Sequence, residues 1–337
     1  MVSIRALTLF GLLGPEYLGD TVPHRWLPLK ATSFQKALTA VSLDILQAGI
    51  GGRLTPSIQI QEKLEVGSGT VQKALQELSE NGGVVLRVKG HQGTLVIDYN
   101  PAILWRSAQL APLRISLTPP GAQELGALSM NIRNQFRKFG LGMEFDYILG
   151  AQNRLDTLSK DSHSTALISI GAAKSRNLLN NKNYSILDFG PESYYQRDSL
   201  LVLTSPKISN PKKLRVALDK TSYDHETLTL DEFENKAGVE YVNCPFPEVP
   251  SAILAGRADI GIWHRVQAVI PPEQAGLKVS QLGSSSLSHK KSSISNAVLI
   301  WPSSLKEITA LLGMIDIKEV RKELQATAKV KVSSKGR

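Results

Sequence analysis

The pattern of apolar residues changes once along the chain, near residue 113, and this change constrains the fold more than any other feature. Beyond it, short apolar runs of strand length alternate with stretches whose apolar residues recur at helical spacing. Such alternation is typical of mostly parallel sheets covered by helices on both faces. The sequence therefore predicts an α/β domain over residues 113–325, with strands at 113–117, 143–149, 165–170, 184–189, 199–203, 214–218, 240–242, 259–263 and 297–301.

A different pattern precedes it, over residues 31–100. Helical spacing runs over 33–48, a short helix follows Thr55-Pro56, and a third helix ends before Gly82-Gly83. Two β-rich runs, 84–88 and 94–97, are joined as a hairpin. Helix, helix, tight turn, helix and hairpin is the order of a winged helix-turn-helix, so we expect α/β overall with an N-terminal DNA-binding module.

Three shorter segments complete the expected organisation. Residues 1–30 are interpreted as an N-terminal arm or extension. Asn100-Pro101 marks the end of the winged helix, and residues 101–112 are predicted to be a linker. Residues 326–337 are predicted to be a basic, disordered tail. The net charge of +9 suits a polyanionic partner, but residues 318–337 alone hold seven Lys/Arg against two Glu, or +5.

The third helix is the predicted recognition helix, which would lie in the major groove of duplex DNA. Glutamine side chains can bridge adenine, and lysine can reach guanine or phosphate. The hairpin would meet the backbone or minor groove, and its glycines let main-chain N–H groups approach phosphate. The predicted DNA-binding residues are Ser68, Thr70, Gln72, Lys73, Gln76, Arg87, Lys89, His91, Gln92 and Gly93.

These residues lie in a segment that resembles the winged helix of GntR-type regulators. The resemblance runs through Leu64, Val66, Thr70, Val71, Ala74, Leu75, Leu78 and Gly82, then Gly90, Gly93, Thr94 and Val96. Family members often carry arginines at the positions of Ser68 and Gln72. Because these arginines are absent here, the family's operator preference does not transfer.

Residues 30–325 together resemble the YhfZ group of predicted regulators. The points of similarity, in chain order, are Gly93-Thr94-Leu95-Val96, Phe189-Gly190-Pro191, Asp219 before a Ser/Thr helix start, and Ile262-Trp263. The resemblance implies a two-lobed C-terminal domain with a periplasmic-binding-protein type II-like fold, as in LysR-type effector domains. Runs 199–203 and 297–301 suit the strands at which the chain passes from one lobe to the other.

Polar residues at strand ends and helix starts are the predicted ligand contacts, because open α/β sheets bind ligands there. Each serine or threonine is equally well explained as an ordinary helix cap. The expected effector is a small anionic or zwitterionic molecule. The predicted ligand-binding residues are Thr118, Ser169, Arg197, Asp219, Thr221, Ser222, Trp263 and His264.

An alternative function on the same fold is a small-molecule-binding protein without a regulatory role, or an enzyme. Asp219, His264 and Ser169 or Ser222 can be drawn as a triad, but no spacing fixes their geometry. No nucleophile elbow, phosphate loop or zinc signature is present, and the single cysteine, Cys244, excludes an internal disulfide. The sequence thus predicts no catalytic residues, cofactor or metal.

The predicted function is a ligand-controlled transcriptional regulator that binds double-stranded DNA as a homodimer. No apolar run approaches the roughly 20 residues that span a bilayer. The apolar stretch before Pro15-Glu16-Tyr17 lacks the small residues of a signal-peptide cleavage site. We therefore expect a cytoplasmic protein without a membrane partner.

Overall fold

The computed structural model describes residues 31–160, 163–196, 198–208, 212–266, 270–283 and 294–334 of the 337-residue chain. The side chains of Gln92 and of residues 327–334 are outside this description. The predicted arm, residues 1–30, also lies outside the described residues. In the part that is described, no helix is long and apolar enough to cross a membrane.

The N-terminal domain has the predicted winged helix-turn-helix order. Thr32 caps the first helix, and Glu65, in the left-handed conformation, ends the second. Val71, Ala74 and Leu78 are fully buried on one face of the third helix, which packs against the first. The elements are α1 (Ser33–Ala48), α2 (Ser57–Leu64), α3 (Ser68–Glu80), β1 (Val84–Val88) and β2 (Thr94–Tyr99).

The predicted linker over 101–112 is wrong for its first half, which is the helix α4 (Pro101–Ser107). The Asn100 side chain accepts hydrogen bonds from the N–H groups of Ala102 and Ile103, and proline at the first position is already helical in φ. Leu104 is buried in the core of the winged helix. Ala102 and Trp105 are buried in the core of the C-terminal domain. The segment is therefore a packed part of both domains.

The first lobe of the C-terminal domain, lobe I, is built on a five-stranded mixed sheet. Its order is β4 (Met143–Tyr147), β3 (Leu113–Leu117), β5 (Ser164–Ser169), β12 (Ala297–Pro302) and β6 (Tyr184–Asp188). Strand β3 is parallel to β4 and β5, whereas β12 is antiparallel to β5 and β6. Its helices are α5 (Gln123–Lys138), α6 (Ala151–Asp156), α7 (Ile170–Ser175), α10 (Lys306–Leu312) and α11 (Ile317–Ser334).

The second lobe, lobe II, has a sheet of the same size. Its order is β11 (Lys278–Gln281), β7 (Leu200–Thr204), β10 (Ile260–His264), β8 (Leu214–Leu218) and β9 (Val239–Asn243), with helices α8 (Tyr223–Phe233) and α9 (Val249–Leu254). Strand β8 is parallel to β9 and β10, and β7 is antiparallel to β10. The chain enters lobe II at β7 and returns to lobe I at β12, as the sequence predicts.

Two further differences from the sequence prediction lie at the C-terminal end of the domain. The spacing of apolar residues over 303–324 predicts one helix, but the structure has two there. Helix α10 is capped by Gly313, and α11 begins where the Asp316 carboxylate accepts the N–H groups of Lys318 and Glu319. The tail predicted as disordered from residue 326 continues α11 to Ser334, which corrects that prediction for residues 326–334.

Candidate ligand cleft and DNA-binding surface

The predicted recognition helix, α3, presents one polar face away from its core. Ser68, Gln72, Lys73 and Gln76 are exposed there, and Thr70 is half-buried. Two of these side chains have partners within the domain. The Lys73 ammonium lies 5.3 Å from the centre of the Phe34 ring, and Gln76 Nε2 donates to Glu80 Oε1 at 2.7 Å.

The hairpin forms the wing of the domain. Arg87, Lys89 and His91 are exposed along it, and Gln92 lies in the short 3-10 turn at its tip. Gly93 has a φ of +80°, and a Cβ there would lie 2.7 Å from Arg53 Nε. The positive φ favours glycine here, and the short distance places the Arg53 guanidinium against the tip of the wing.

Arg53 is a candidate contact that the sequence analysis missed. It is exposed and pairs with Leu95 through an isolated β-bridge, which places it beside the wing. The sequence signal was weak, because Arg53 stands alone between Gly52 and Leu54. A lone cation in a turn resembles an ordinary surface residue.

The candidate ligand site is a cavity between the two lobes. The carboxyl ends of β3, β5, β8 and β10 face it, so residues at four strand ends converge. Its volume open to water is about 60 Å³. At about 10–15 Å³ for each water, this holds roughly four water molecules. Five predicted ligand residues line it: Thr118, Ser169, Asp219, Ser222 and His264.

The remaining three predicted ligand residues are not brought to this cavity. The Thr221 hydroxyl is turned onto Asp219 Oδ1, at 2.6 Å. Trp263 is buried in the apolar core between the lobe II sheet and α9. Arg197 lies outside the described residues.

The serine and aspartate residues at the cavity also have structural roles. Ser169 Oγ caps α7 by accepting from the N–H of Ala172, and Ser222 Oγ caps α8. Both oxygens of Asp219 are occupied, since Oδ1 accepts from Thr221 and Oδ2 accepts from the N–H of Phe246 at 2.8 Å. Asp219 therefore shapes the cavity wall by fixing two loops of lobe II.

Arg154, on α6 of lobe I, lines the cavity and was missed by the sequence analysis. It is 3% exposed. Its Nε and Nη1 groups donate to the carbonyls of Leu167 and Ile148, and Nη2 donates to Tyr194 Oη at 3.1 Å. A buried guanidinium held mainly by neutral acceptors keeps its positive charge available to the cavity.

Asp224, on α8 of lobe II, is the opposite charge in the same cavity. Its Oδ2 accepts from Tyr195 Oη at 3.1 Å, whereas Oδ1 has no hydrogen bond of good geometry to any described residue. Burial raises its pKa to about 6, against the lowering effects of the Ser169 and Tyr195 hydroxyls and of Arg154 and Arg176. Gly171 leaves room for it, because a Cβ there would lie 2.8 Å from Oδ1.

A buried hydrogen bond between Glu124 and His264 joins the lobes beside the cavity. Glu124 Oε1, on α5 of lobe I, lies 2.8 Å from His264 Nε2 on β10 of lobe II. Burial raises the pKa of Glu124, but the hydrogen bond and charge of His264, together with the backbone N–H of Gln196, lower it to about 2. Glu124 therefore stays ionised, and its hydrogen bond with His264 links the two lobes beside the cavity.

Neither cavity charge could be recognised from the sequence. Arg154 and Asp224 stand inside short helices, where a single charged residue is typical of a solvated face. Only the packing of two lobes and the intervening chain buries them together. Among the described residues, no group of three or more His, Cys, Asp or Glu side chains could hold a metal ion.

The fold and the cleft define a class: a helix-turn-helix domain joined to an α/β domain of two lobes with a cleft between them. The family described as a helix-turn-helix domain matches residues 50–96, and the family described as the YhfZ C-terminal domain matches residues 100–333. The second match spans more than half of the chain. The chain belongs to the YhfZ family.

Several known proteins are similar to this chain. The uncharacterized protein YhfZ of Escherichia coli (strain K12) is 24% identical over 230 residues, covering 68% of this chain and 74% of the relative. The crystal structure of YhfZ from Shigella flexneri has 22% identity and a TM-score of 0.50, covering 68% of this chain and 96% of that one. The periplasmic aliphatic sulphonate binding protein SsuA from Escherichia coli has 12% identity and a TM-score of 0.44, covering 66% and 72%. The GntR likeness of the winged helix stays a prediction.

Proposed function

We propose that the protein is a DNA-binding transcriptional regulator whose affinity for its operator is controlled by a small charged molecule in the cleft between the lobes. It acts in the cytoplasm as a homodimer and is not an enzyme. The helix-turn-helix family match and the cleft with its buried charges support the two halves of this proposal.

The observation that carries the proposal is the way in which the winged helix is mounted on lobe I. Helix α4 contributes Leu104 to one core and Trp105 to the other, and α1 packs against α10. The winged helix is thereby packed against lobe I through α4, α1 and α10, and the cleft lies between lobe I and lobe II. A ligand that binds both lobes biases the position of lobe II, and in a dimer this changes the relative placement of the two α3 helices.

The dimer follows from the size of the DNA-binding domain. A single small module buries roughly 600–1,000 Å² on DNA, at the low end for specific recognition. Two modules related by a two-fold axis read two half-sites, and closed two-fold symmetry is the commonest arrangement of oligomers.

The geometry of the histidines favours binding over catalysis. His264 Nε2 is held by Glu124, and no serine hydroxyl forms a hydrogen bond with this imidazole among the described contacts. His225 Nδ1 accepts from the backbone N–H of Asp219, and its Nε2 donates to the carbonyl of Ile262. Burial lowers the pKa of His225 to about 4, so this imidazole is neutral and both its nitrogens are occupied.

Salt-dependent DNA binding tests the first half of the proposal. We expect the full chain to select duplexes from a random-sequence pool, with an affinity that falls steeply as salt rises. Replacing Lys73 and Arg87 with alanine should weaken binding at least tenfold. It should also reduce the slope of log K against log salt by roughly 1–2, since each phosphate contact contributes about 0.9.

Lys278→Ala is the matched control, because Lys278 is exposed on the edge strand β11 of lobe II. It removes one positive charge, where the double variant removes two, and it does not touch the winged helix. Fluorescence anisotropy gives the affinities, and light scattering of the complex should give two chains for each two-fold site. A selection without salt-sensitive binding, or a Lys278→Ala loss equal to that of the double variant, would refute DNA binding by the predicted surface.

A further inference from the structure

Two buried, opposite charges line the cleft and belong to different lobes. Arg154 of lobe I is 3% exposed, and Asp224 of lobe II is 5% exposed. No opposite charge lies within ion-pair distance of either among the described residues. Buried charges are normally paired, because an unpaired one is costly to remove from water. The free cleft therefore holds an unmatched cation and an unmatched anion.

Both groups have hydrogen-bonding capacity left for a ligand. The guanidinium of Arg154 has five N–H groups, and its contacts with Leu167, Ile148 and Tyr194 use three of them. Asp224 Oδ1 is buried without a hydrogen bond of good geometry, although the Ser169 hydroxyl is near enough to lower the pKa of this carboxyl. A carboxylate of the ligand would accept hydrogen bonds from the remaining N–H groups of Arg154, and an ammonium of the ligand would donate to Asp224 Oδ1.

Two consecutive tyrosines position these charges. Tyr194 Oη accepts from Arg154, and Tyr195 Oη donates to Asp224 Oδ2. The two rings contact each other edge to face, with 4.8 Å between their centres. Both lie in the chain segment that crosses from lobe I to lobe II, so the crossing itself sets the relative position of the cation and the anion.

We infer that the effector is a small zwitterion, an α-amino acid, whose carboxylate binds Arg154 and whose ammonium binds Asp224. The inference rests on the proposed function only in taking this cleft as the effector site. A plain anion would leave Asp224 unpaired beside it, and a plain cation would leave Arg154 unpaired. Because each end of the zwitterion binds a different lobe, the ligand stabilises the closed cleft. The closed volume of about 60 Å³ favours amino acids with short side chains.

The test compares compounds that differ by one charged end. The full chain is titrated by calorimetry at pH 8 with each of the twenty standard α-amino acids. Every compound that binds is then compared with the 2-hydroxy acid that lacks its ammonium and with the amide that lacks its carboxylate. We expect at least one short-chain amino acid to bind, and both of its analogues to bind at least tenfold more weakly.

Asp224→Asn assigns the ammonium site. This isosteric change should lower the affinity for the amino acid at least tenfold, while the affinity for the 2-hydroxy acid should change less than threefold. Asp156→Asn is the control, since Asp156 is an exposed carboxylate on the same helix as Arg154 and accepts only from Gln152 among the contacts described. Arg154→Gln would also remove the three structural hydrogen bonds of this side chain. The carboxylate end is therefore tested by comparing each amino acid with its amide, and not by this variant.

The outcomes separate this inference from the proposed function. If no amino acid binds, or if the 2-hydroxy acid binds as tightly as the amino acid and Asp224→Asn changes neither, the zwitterion is wrong. In that case, a simple anion that binds in the cleft and alters DNA affinity would still support the proposed function of a ligand-controlled regulator. Conversely, an amino acid whose binding depends on Asp224 but does not change DNA affinity would support a zwitterionic ligand and refute ligand control of DNA binding.

Discussion

Burial alters the acid–base chemistry of two adjacent residues of α8 in opposite directions. The pKa of Asp224 is raised to about 6 from 3.8, and the pKa of His225 is lowered to about 4 from 6.5. In both cases desolvation favours the neutral form. Asp224 makes the folded protein more stable as pH falls from 6 towards 3.8, whereas His225 makes it less stable as pH falls from 6.5 towards 4. The two effects overlap and partly cancel in the stability of the whole chain.

The difference between the wild type and Asp224→Asn isolates the carboxyl. Asparagine is always neutral, so the variant lacks the penalty that an ionised Asp224 imposes on the free protein at high pH. We expect the free energy of unfolding of the variant, relative to the wild type, to rise by roughly 1–3 kcal/mol between pH 4 and pH 8, at about 1.4 kcal/mol for each unit of pKa change. Urea unfolding across this range measures it, and a difference that stays constant with pH would contradict the burial of this carboxyl.

Residues whose role is local were predicted, and residues whose role depends on packing were not. Ser169 and Ser222 follow buried strands and begin helices, a pattern readable within six residues, and both line the cavity. Arg154 and Asp224 are far apart in sequence, and only the assembled lobes bring them together. Whether the five predicted residues at the cavity contact an effector stays a prediction.

At the scale of elements, helix α4 decides how the two domains are joined. The sequence contained its signals, since Asn100 and Pro101 form a cap followed by a proline at the first helical position. The apolar run from Ala102 to Trp105 then has too few residues to show a helical period. The sequence pattern therefore indicates a linker rather than a helix. In the structure, Trp105 Nε1 donates a hydrogen bond to the carbonyl of Ala111, in the turn after the helix.

Leu104→Ala tests this junction. The side chain is fully buried in the core of the winged helix, so the truncation leaves a cavity and should lower the free energy of unfolding by about 2–5 kcal/mol. Arg106→Ala, an exposed change on the same helix, should stay within roughly 0.5 kcal/mol of the wild type. Denaturant unfolding followed by two probes measures both variants, and equal effects would show that α4 is not packed between the domains.

The apolar pattern predicts nearly all of the strands. All nine predicted strands are present within two residues at each end, including three edge strands without a fully buried residue, β4, β6 and β9. Strand β11 was missed, since three of its four residues are exposed at a sheet edge and carry no apolar alternation. The order of strands within each sheet and the depth of the cleft follow from long-range pairing, which a local pattern does not encode.

In the whole molecule, the winged helix packs against lobe I, and lobe II faces lobe I across a cleft that the Glu124–His264 hydrogen bond spans. We propose that DNA binds to the winged helix and that an amino acid binds in the cleft. Coupling between them is a free energy, so the ligand must change DNA affinity and the DNA must change ligand affinity by the same factor.

The most direct measurement is the DNA affinity of the full chain, by anisotropy at fixed salt, with and without a saturating α-amino acid identified by calorimetry. We expect at least a fivefold change in the dissociation constant, which corresponds to the low end of typical coupling free energies. The change should be absent in Ser222→Trp, which fills the cleft while the winged helix stays intact. An unchanged dissociation constant in the presence of a ligand bound in the cleft would contradict the account.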